Sequence, residues 1–109
     1  MQKIGAFKLR NNGGFVCAPA ANWIDDNGNT QRTGTGSSIP LGQETMFNPG
    51  EYGVSDGSPV ELYISITLGS DRTGGTYYTF DASSNQYAEY DITGTTLDSD
   101  VHFDGIKTN

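Results

Sequence analysis

Apolar and polar residues alternate strictly over residues 60–68, and no other feature of the sequence constrains the fold as much. The apolar positions are Val60, Leu62, Ile64, Ile66 and Leu68. Because successive side chains of a β-strand point to opposite faces, the pattern predicts a strand with one buried and one solvated face. Such a strand needs a second apolar layer to cover its buried face.

Seven further stretches have strand-like patterns and are separated by clusters of Gly, Asn, Asp and Pro that are typical of turns. They are residues 3–10, 14–24, 30–35, 44–48, 77–81, 87–93 and 101–106. No window of a dozen residues places apolar side chains at helical spacing, and 15 glycines disfavour long helices. A short helical turn is expected only near residues 83–86. We therefore predict an all-β fold, a single antiparallel β-sandwich of about eight strands, with one closed sheet as the alternative.

The length of the chain limits it to one hydrophobic core, and we assign residues 1–109 to a single β-sandwich domain. Five Phe, six Tyr and one Trp supply large apolar surfaces for that core. Because Cys17 is the only cysteine, packing and not an internal disulfide must stabilise the fold. No signal peptide and no transmembrane stretch are visible, so the expected localisation is cytoplasmic, or secreted by a non-standard route.

Charge and residue content exclude several classes of function. Thirteen acidic against six basic residues give a net charge of −7, which disfavours nucleic acid as a partner. One His and one Cys cannot supply the ligands of a zinc site, and His102 has no Gly-x-Ser-x-Gly nucleophile motif to work with. The glycine-rich residues 34–38 lack the third glycine and the following helix of a dinucleotide loop. We predict a protein that is not an enzyme and that uses no catalytic residue, metal or cofactor.

Four titratable residues alternate near the C terminus: Asp98, Asp100, His102 and Asp104. One interpretation is a Ca²⁺ site or a pair of glycosidase carboxyls, because both need several carboxylate oxygens close together. The other is a solvated strand face whose charges discourage aggregation at a sheet edge. The second is favoured, because side chains two apart on a strand lie ~7 Å apart and parallel, whereas Ca²⁺ ligands converge.

Aromatic and polar residues on the predicted strands and turns suit the binding of a sugar. A tyrosine ring stacks on the C–H face of a pyranose, and carboxylates and amides hydrogen-bond to its hydroxyls. The candidate ligand-binding residues are Trp23, Asp25, Asn27, Tyr77, Tyr87 and Asp91. Purely structural roles compete with this interpretation: a core anchor for Trp23, an Asn-Gly hairpin turn for residues 25–28, and coverage of the sheet for the tyrosines.

A family resemblance lies in the C-terminal segment Gly94-Thr95-Thr96-Leu97-Asp98-Ser99-Asp100-Val101-His102-Phe103. It resembles the closing Gly-x-x-Leu-x-x-x-Val-x-Phe strand of the fungal fruit-body lectins, which are actinoporin-like β-sandwiches. The Asn-Asn-Gly-Gly run at residues 11–14 and Trp23 are similar to aegerolysins. The resemblance implies glycan recognition or binding to sphingolipid-containing membranes, without enzymatic activity or a cofactor. This chain is shorter than both families and lacks the Trp-rich, Cys-bearing segment of aegerolysins, so no binding residue is carried over.

These observations favour a non-enzymatic, lectin-like recognition module that binds a glycan or a glycolipid head group. A homo-oligomer would supply the avidity that one shallow site lacks. The first alternative is a cytolysin-like protein that binds a membrane surface or sphingolipid, although a net charge of −7 repels anionic lipid. The second is a structural subunit that assembles through its sheet edges.

Overall fold

The computed structural model describes residues 1–109 and contains two β-sheets. In chain order the strands are β1 (Lys3–Ile4), β2 (Ala6–Gly13), β3 (Cys17–Ile24), β4 (Thr30–Arg32), β5 (Glu44–Phe47), β6 (Pro59–Ile66), β7 (Arg72–Phe80), β8 (Gln86–Thr95) and β9 (Asp98–Thr108). The one helix is a 3₁₀ turn, Pro49–Tyr52, and no helix of the protein is long and apolar enough to cross a bilayer. The predicted all-β sandwich is confirmed, with nine strands.

One sheet has five strands in the order β1-β7-β6-β3-β4, and the other has four in the order β5-β2-β8-β9. Most neighbouring strands are antiparallel, as expected, but β1 runs parallel to β7 and β2 runs parallel to β8. The parallel pairing arises at Gly5, which divides the stretch 3–10, predicted as one strand, into β1 and β2. A Cβ there would lie 2.3 Å from the Ser84 carbonyl oxygen, so only glycine lets the chain pass beside the β7–β8 turn into the second sheet.

The core forms between the two inner faces. Val60, Leu62, Ile64 and Ile66 of β6 all point inward and are buried, as their alternation predicts. Phe7 of β2 lies opposite them in the second sheet's inner layer and contacts the Tyr78 ring edge-on at 5.8 Å between centroids. The remaining large core side chains are Ile4, Leu9, Phe47, Phe80, Tyr90 and Ile92. Aromatic rings therefore fill much of the space that aliphatic side chains fill in less aromatic sandwiches.

Two local predictions differ from the structure. Residues 83–86 form a turn and the start of β8, and the only helical turn begins at Pro49 after its cap Asn48. The glycine-rich residues 73–75, expected to form a turn, lie inside β7. Gly74 is needed there because the Tyr90 ring would meet its Cβ at 3.1 Å, and Gly75 has φ +81°. In this strand glycine makes room for a core aromatic and does not mark a chain reversal.

Candidate functional site

The loops at one end of the sandwich expose four apolar side chains. Val16 is 40% exposed, Leu41 63%, Leu68 94% and Leu97 71%. They lie in the β2–β3 loop, the segment before β5, the β6–β7 loop and the β8–β9 turn, and we call them the apolar end. Four separate loops thus each expose an apolar side chain at the same end of the sandwich, and soluble monomers seldom concentrate exposed apolar residues in this way without a partner.

Backbone hydrogen bonds hold these four loops together. The Thr67 N–H donates to the Val16 carbonyl at 3.0 Å, and the Ser70 N–H donates to the Thr96 carbonyl at 2.9 Å. Cys17 and Ile39 exchange two hydrogen bonds, which attaches the segment before β5 to the start of β3. The buried Asn11 side chain donates to the carbonyls of Phe15 and Ile39. The loops are therefore fixed relative to one another, and the apolar end is a preformed surface.

Leu68 is the most exposed of the four and has an uncommon backbone conformation. Its φ of +57° places it in the left-handed region, where a side chain normally costs about 1–2 kcal/mol. The next residue, Gly69, lies so close to the β8–β9 turn that a Cβ would be 2.3 Å from the Thr96 carbonyl oxygen. The β6–β7 loop is thus pressed against the β8–β9 turn, which presents Leu68 and Leu97 on neighbouring loops.

Few charges lie near the apolar end, and two of them have partners. The Asp71 carboxyl accepts hydrogen bonds from the Tyr63 hydroxyl and from the Ile66 N–H. These bonds hold the pKa of Asp71 below its usual value, and the bond from Tyr63 contributes more. The Arg72 Nε donates to Ser99 Oγ at 2.9 Å. The four loops themselves contain no basic residue, and Arg72 is the first residue of the strand that follows the β6–β7 loop. The apolar end has no basic cluster of the kind that attracts anionic lipid head groups.

Three of the predicted ligand-binding residues lie at the opposite end of the sandwich, around the β3–β4 turn. Trp23 pairs with Val60 and packs against the core, as the structural interpretation expected. The Asp25 carboxylate accepts hydrogen bonds from the N–H groups of Asn27 and Asn29 and from the Gln31 amide. The Gln31 amide contributes most to lowering the pKa of this carboxyl. The hydrogen bonds of Asp25 therefore stabilise the β3–β4 turn.

The other three candidates lie on opposite outer faces of the sandwich. Tyr77 pairs with Glu61 on the outside of the five-stranded sheet. Tyr87 and Asp91 lie on the outside of the four-stranded sheet, where the Lys8 ammonium is 5.8 Å from the Tyr87 ring centre. The two sheets pack through their inner faces, so these residues point in opposite directions. The six candidates do not form one site.

Neither a metal site nor a cavity of ordinary ligand-binding size is found elsewhere in the molecule. No group of three or more His, Cys, Asp or Glu side chains is arranged to hold a metal ion. The aspartates of β9 follow the strand, and Asp104 lies beside Asp91, where burial and the hydrogen bond with Asp91 raise its pKa to about 6. One cavity of about 210 Å³ lies at the end of the sandwich opposite the apolar end, beside Lys3, Asp56 and Asp81. This volume is below that of ordinary small-molecule sites.

Comparison with known proteins gives structural neighbours and no sequence family. No family model matches the sequence, and no curated protein matches it. The membrane-binding domain of pneumolysin is similar with a TM-score of 0.50 and 18% identity, over 96% of this chain and 98% of that one. A Gram-negative toxin (TM-score 0.50, 18% identity) covers 92% of this chain and 22% of its own. A disulfide-locked intermedilysin mutant solved with human CD59 (TM-score 0.50, 15% identity) covers 94% and 24%.

These identities establish the fold alone. The fold is β-rich, as in these toxin structures, and the neighbours named here are not actinoporins or fungal lectins, which corrects the finer part of the sequence resemblance. The chain spans about a quarter of the length of the Gram-negative toxin and of intermedilysin.

The apolar end is not predicted by the sequence patterns described above. Leu68 was assigned to the buried face of β6, but the strand ends at Ile66 and Leu68 lies in the turn. The signal was present in the residues that follow: Gly69, Ser70 and Asp71 have turn composition. Leu97 was noted only as part of the C-terminal motif. Val16 lies between Phe15 and Cys17 in a stretch predicted as a strand, and Leu41 lies between Pro40 and Gly42. Only the fold brings the two side chains to the same end of the sandwich.

Proposed function

We propose that this domain is a non-enzymatic module that binds a membrane surface through its apolar end. The observation that carries the proposal is the concentration of Val16, Leu41, Leu68 and Leu97 in four interlocked loops at one end of the sandwich. Buried at a lipid interface, these side chains would leave water at no structural cost to the fold. The likeness to a domain described as membrane-binding supports the same function.

The charges of the domain indicate which bilayers it binds. With a net charge of −7 and no basic residue in the four loops, the domain has no basic cluster to attract anionic lipid. Apolar contact therefore supplies the binding free energy, and uncharged or zwitterionic lipids are the expected surface. Salt should change the affinity little, because few charged groups approach the bilayer.

Flotation with liposomes tests this function. The protein is mixed with vesicles of phosphatidylcholine alone and with added sphingomyelin, cholesterol or phosphatidylserine, each at low and high salt. We expect it to float with one or more of the uncharged compositions, with no gain from phosphatidylserine and little effect of salt. Leu97→Asp, which places a charge at the apolar end, should abolish flotation. Failure to float with any composition, or binding that needs phosphatidylserine and disappears in salt, would overturn the proposal.

Assembly through sheet edges is less well supported. The longest edge strand, β9, carries Asp98, Asp100 and Asp104 and is bulged at Gly105, where φ is +111°. Charges and bulges on an edge strand oppose pairing with a second chain. A monomer by light scattering in the absence of lipid is the expected result.

A further inference from the structure

The outer face of the five-stranded sheet carries a continuous row of polar and aromatic side chains. The row crosses the four adjacent strands β4, β3, β6 and β7 and has one residue from each, in register: Arg32, Asn22, Glu61 and Tyr77. With strands ~4.8 Å apart, the four positions span ~14 Å across the sheet. We call Arg32, Asn22, Glu61 and Tyr77 the polar row.

Hydrogen bonds fix the geometry of the polar row. The Arg32 Nε donates to Asn22 Oδ1 at 2.9 Å, and Asn22 Nδ2 donates to Glu61 Oε1 at 3.1 Å. Asn22 is only 8% exposed, so its amide is a buried link between a guanidinium and a carboxylate. The Arg32 guanidinium also lies 3.8 Å from the centre of the Tyr63 ring, whose hydroxyl donates to Asp71. These side chains are held in place before any ligand arrives, which lowers the entropic cost of binding.

Several hydrogen-bonding groups of the polar row have no partner within the protein. They are Arg32 Nη1 and Nη2, Glu61 Oε2 and the Tyr77 hydroxyl. The Arg32 guanidinium and the Glu61 carboxylate, on either side of Asn22, can donate to one hydroxyl and accept from another on the same molecule. The half-buried Tyr77 ring at the end of the row supplies an apolar surface.

The charges of the row narrow the class of ligand. The carboxylates of Glu61 and Asp71 repel an anionic ligand such as a phosphate or a sialic acid, and the Arg32 guanidinium repels a cation. A neutral molecule with several hydroxyls and an apolar ring face is repelled by neither. We propose that the polar row is a saccharide-binding site for a neutral glycan whose hydroxyls bind Arg32 and Glu61 and whose ring packs on Tyr77.

The position of the polar row relates it to the apolar end. Glu61 lies five residues before the end of β6 at Ile66, or ~17 Å along the strand from the membrane-facing loops. A glycan carried by a lipid head group would therefore lie alongside this face when the apolar end contacts the bilayer. The saccharide site does not depend on membrane binding, however, because the row is complete without the loops.

Soluble sugars test the site without any lipid. The native protein is screened on an array of neutral and sialylated oligosaccharides, and the neutral sugars that bind are titrated by NMR. We expect Glu61→Gln and Tyr77→Ala to weaken binding about tenfold, the effect of losing one charged hydrogen bond or one stacked ring. Glu61→Gln keeps an oxygen for the Asn22 amide, and unchanged NMR spectra away from the row confirm that each variant is folded. Tyr87→Ala, on the opposite outer face, is the matched control and should bind as the native protein does.

Three results would overturn the site: no neutral sugar binds the array, Glu61→Gln binds as tightly as the native protein, or Tyr87→Ala loses as much affinity as Tyr77→Ala. Flotation with the same sugar attached to a lipid in phosphatidylcholine vesicles then distinguishes a glycolipid ligand from a free or protein-linked glycan. Tighter flotation than with plain vesicles identifies a glycolipid, and equal flotation identifies a free or protein-linked glycan. Because the array contains no lipid, its failure leaves the flotation result unaffected.

Discussion

Leu68 offers a test in which stability and membrane binding should change in opposite directions. It combines a left-handed backbone, φ +57°, with a side chain that is 94% exposed. Asparagine tolerates this conformation far better than leucine does, and Leu68→Asn removes no packing because the leucine has almost none. We therefore expect Leu68→Asn to stabilise the fold by about 1 kcal/mol and to raise the melting temperature by about 4–8 °C.

The same substitution should weaken binding to vesicles. Burial of a leucine side chain contributes about 1.5–3 kcal/mol, and asparagine gains nothing comparable in a lipid interface. At 1.4 kcal/mol per factor of ten, the partition coefficient should fall by about ten- to a hundredfold. Circular dichroism melts and vesicle flotation measure the two effects on the same sample. A variant that binds vesicles as tightly as the native protein would refute the membrane role of Leu68, and one that melts earlier would refute the strain.

Two controls separate the causes. Leu68→Ala keeps a Cβ in the left-handed conformation while removing most of the apolar surface, so binding should fall without the gain in stability. Met46→Ala removes a side chain that is 44% exposed but lies on β5, away from the loops, and should leave flotation unchanged. If Met46→Ala weakens binding as much as Leu68→Ala, general surface hydrophobicity and not the apolar end drives association.

Three further predictions concern the scaffold. Gly69→Ala should lower both thermal stability and flotation, because its Cβ collides with a backbone carbonyl of the β8–β9 turn; unchanged flotation would show that the two loops act independently. Asp104 has a raised pKa in the fold, so its contribution to stability is present below pH about 4 and is lost as pH rises through about 6; Asp104→Asn should raise the melting temperature at pH 7.5 but not at pH 4, and an equal rise at both pH values would contradict this reasoning. Tyr90→Phe should cost about 1–3 kcal/mol in denaturant unfolding because it leaves the buried Tyr78 hydroxyl without its partner, and adding Tyr78→Phe should recover part of that loss.

The strands could be predicted because each strand buries one face, so apolar residues recur at every second position of the sequence. Residues 60–66 show this clearly, and they form the centre of the five-stranded sheet. The parallel pairing of β2 with β8 could not be predicted, because it depends on a sheet change at Gly5 that is invisible without the β7–β8 turn packed against it.

The candidate sites were predicted less well, because a site depends on which loops and faces meet. Tyr77 and Tyr87 have the same sequence signature and lie on opposite sides of the molecule. Arg32 lies in an exposed edge strand whose sequence carries no signal of a site, yet its register with Asn22 places it in one row with Glu61. Tyr77 belongs both to the residues predicted from the sequence and to the polar row, but the other members of the row come from strands up to 55 residues away in the sequence, as Asn22 shows.

Leu68 also bears on whether the apolar end is a by-product of folding or a surface with a function. Apart from Leu68, every residue with a positive φ in this protein is a glycine, including those of the turns at Gly28, Gly42 and Gly57. The sequence therefore uses glycine wherever only the turn conformation matters. At Leu68 it instead places a large apolar side chain in a strained conformation and in full contact with water, and the fold gains no packing from it. Strain and exposure that bring no stability are expected where the side chain has a partner outside the chain, and three other exposed apolar residues on the adjoining loops indicate an apolar partner.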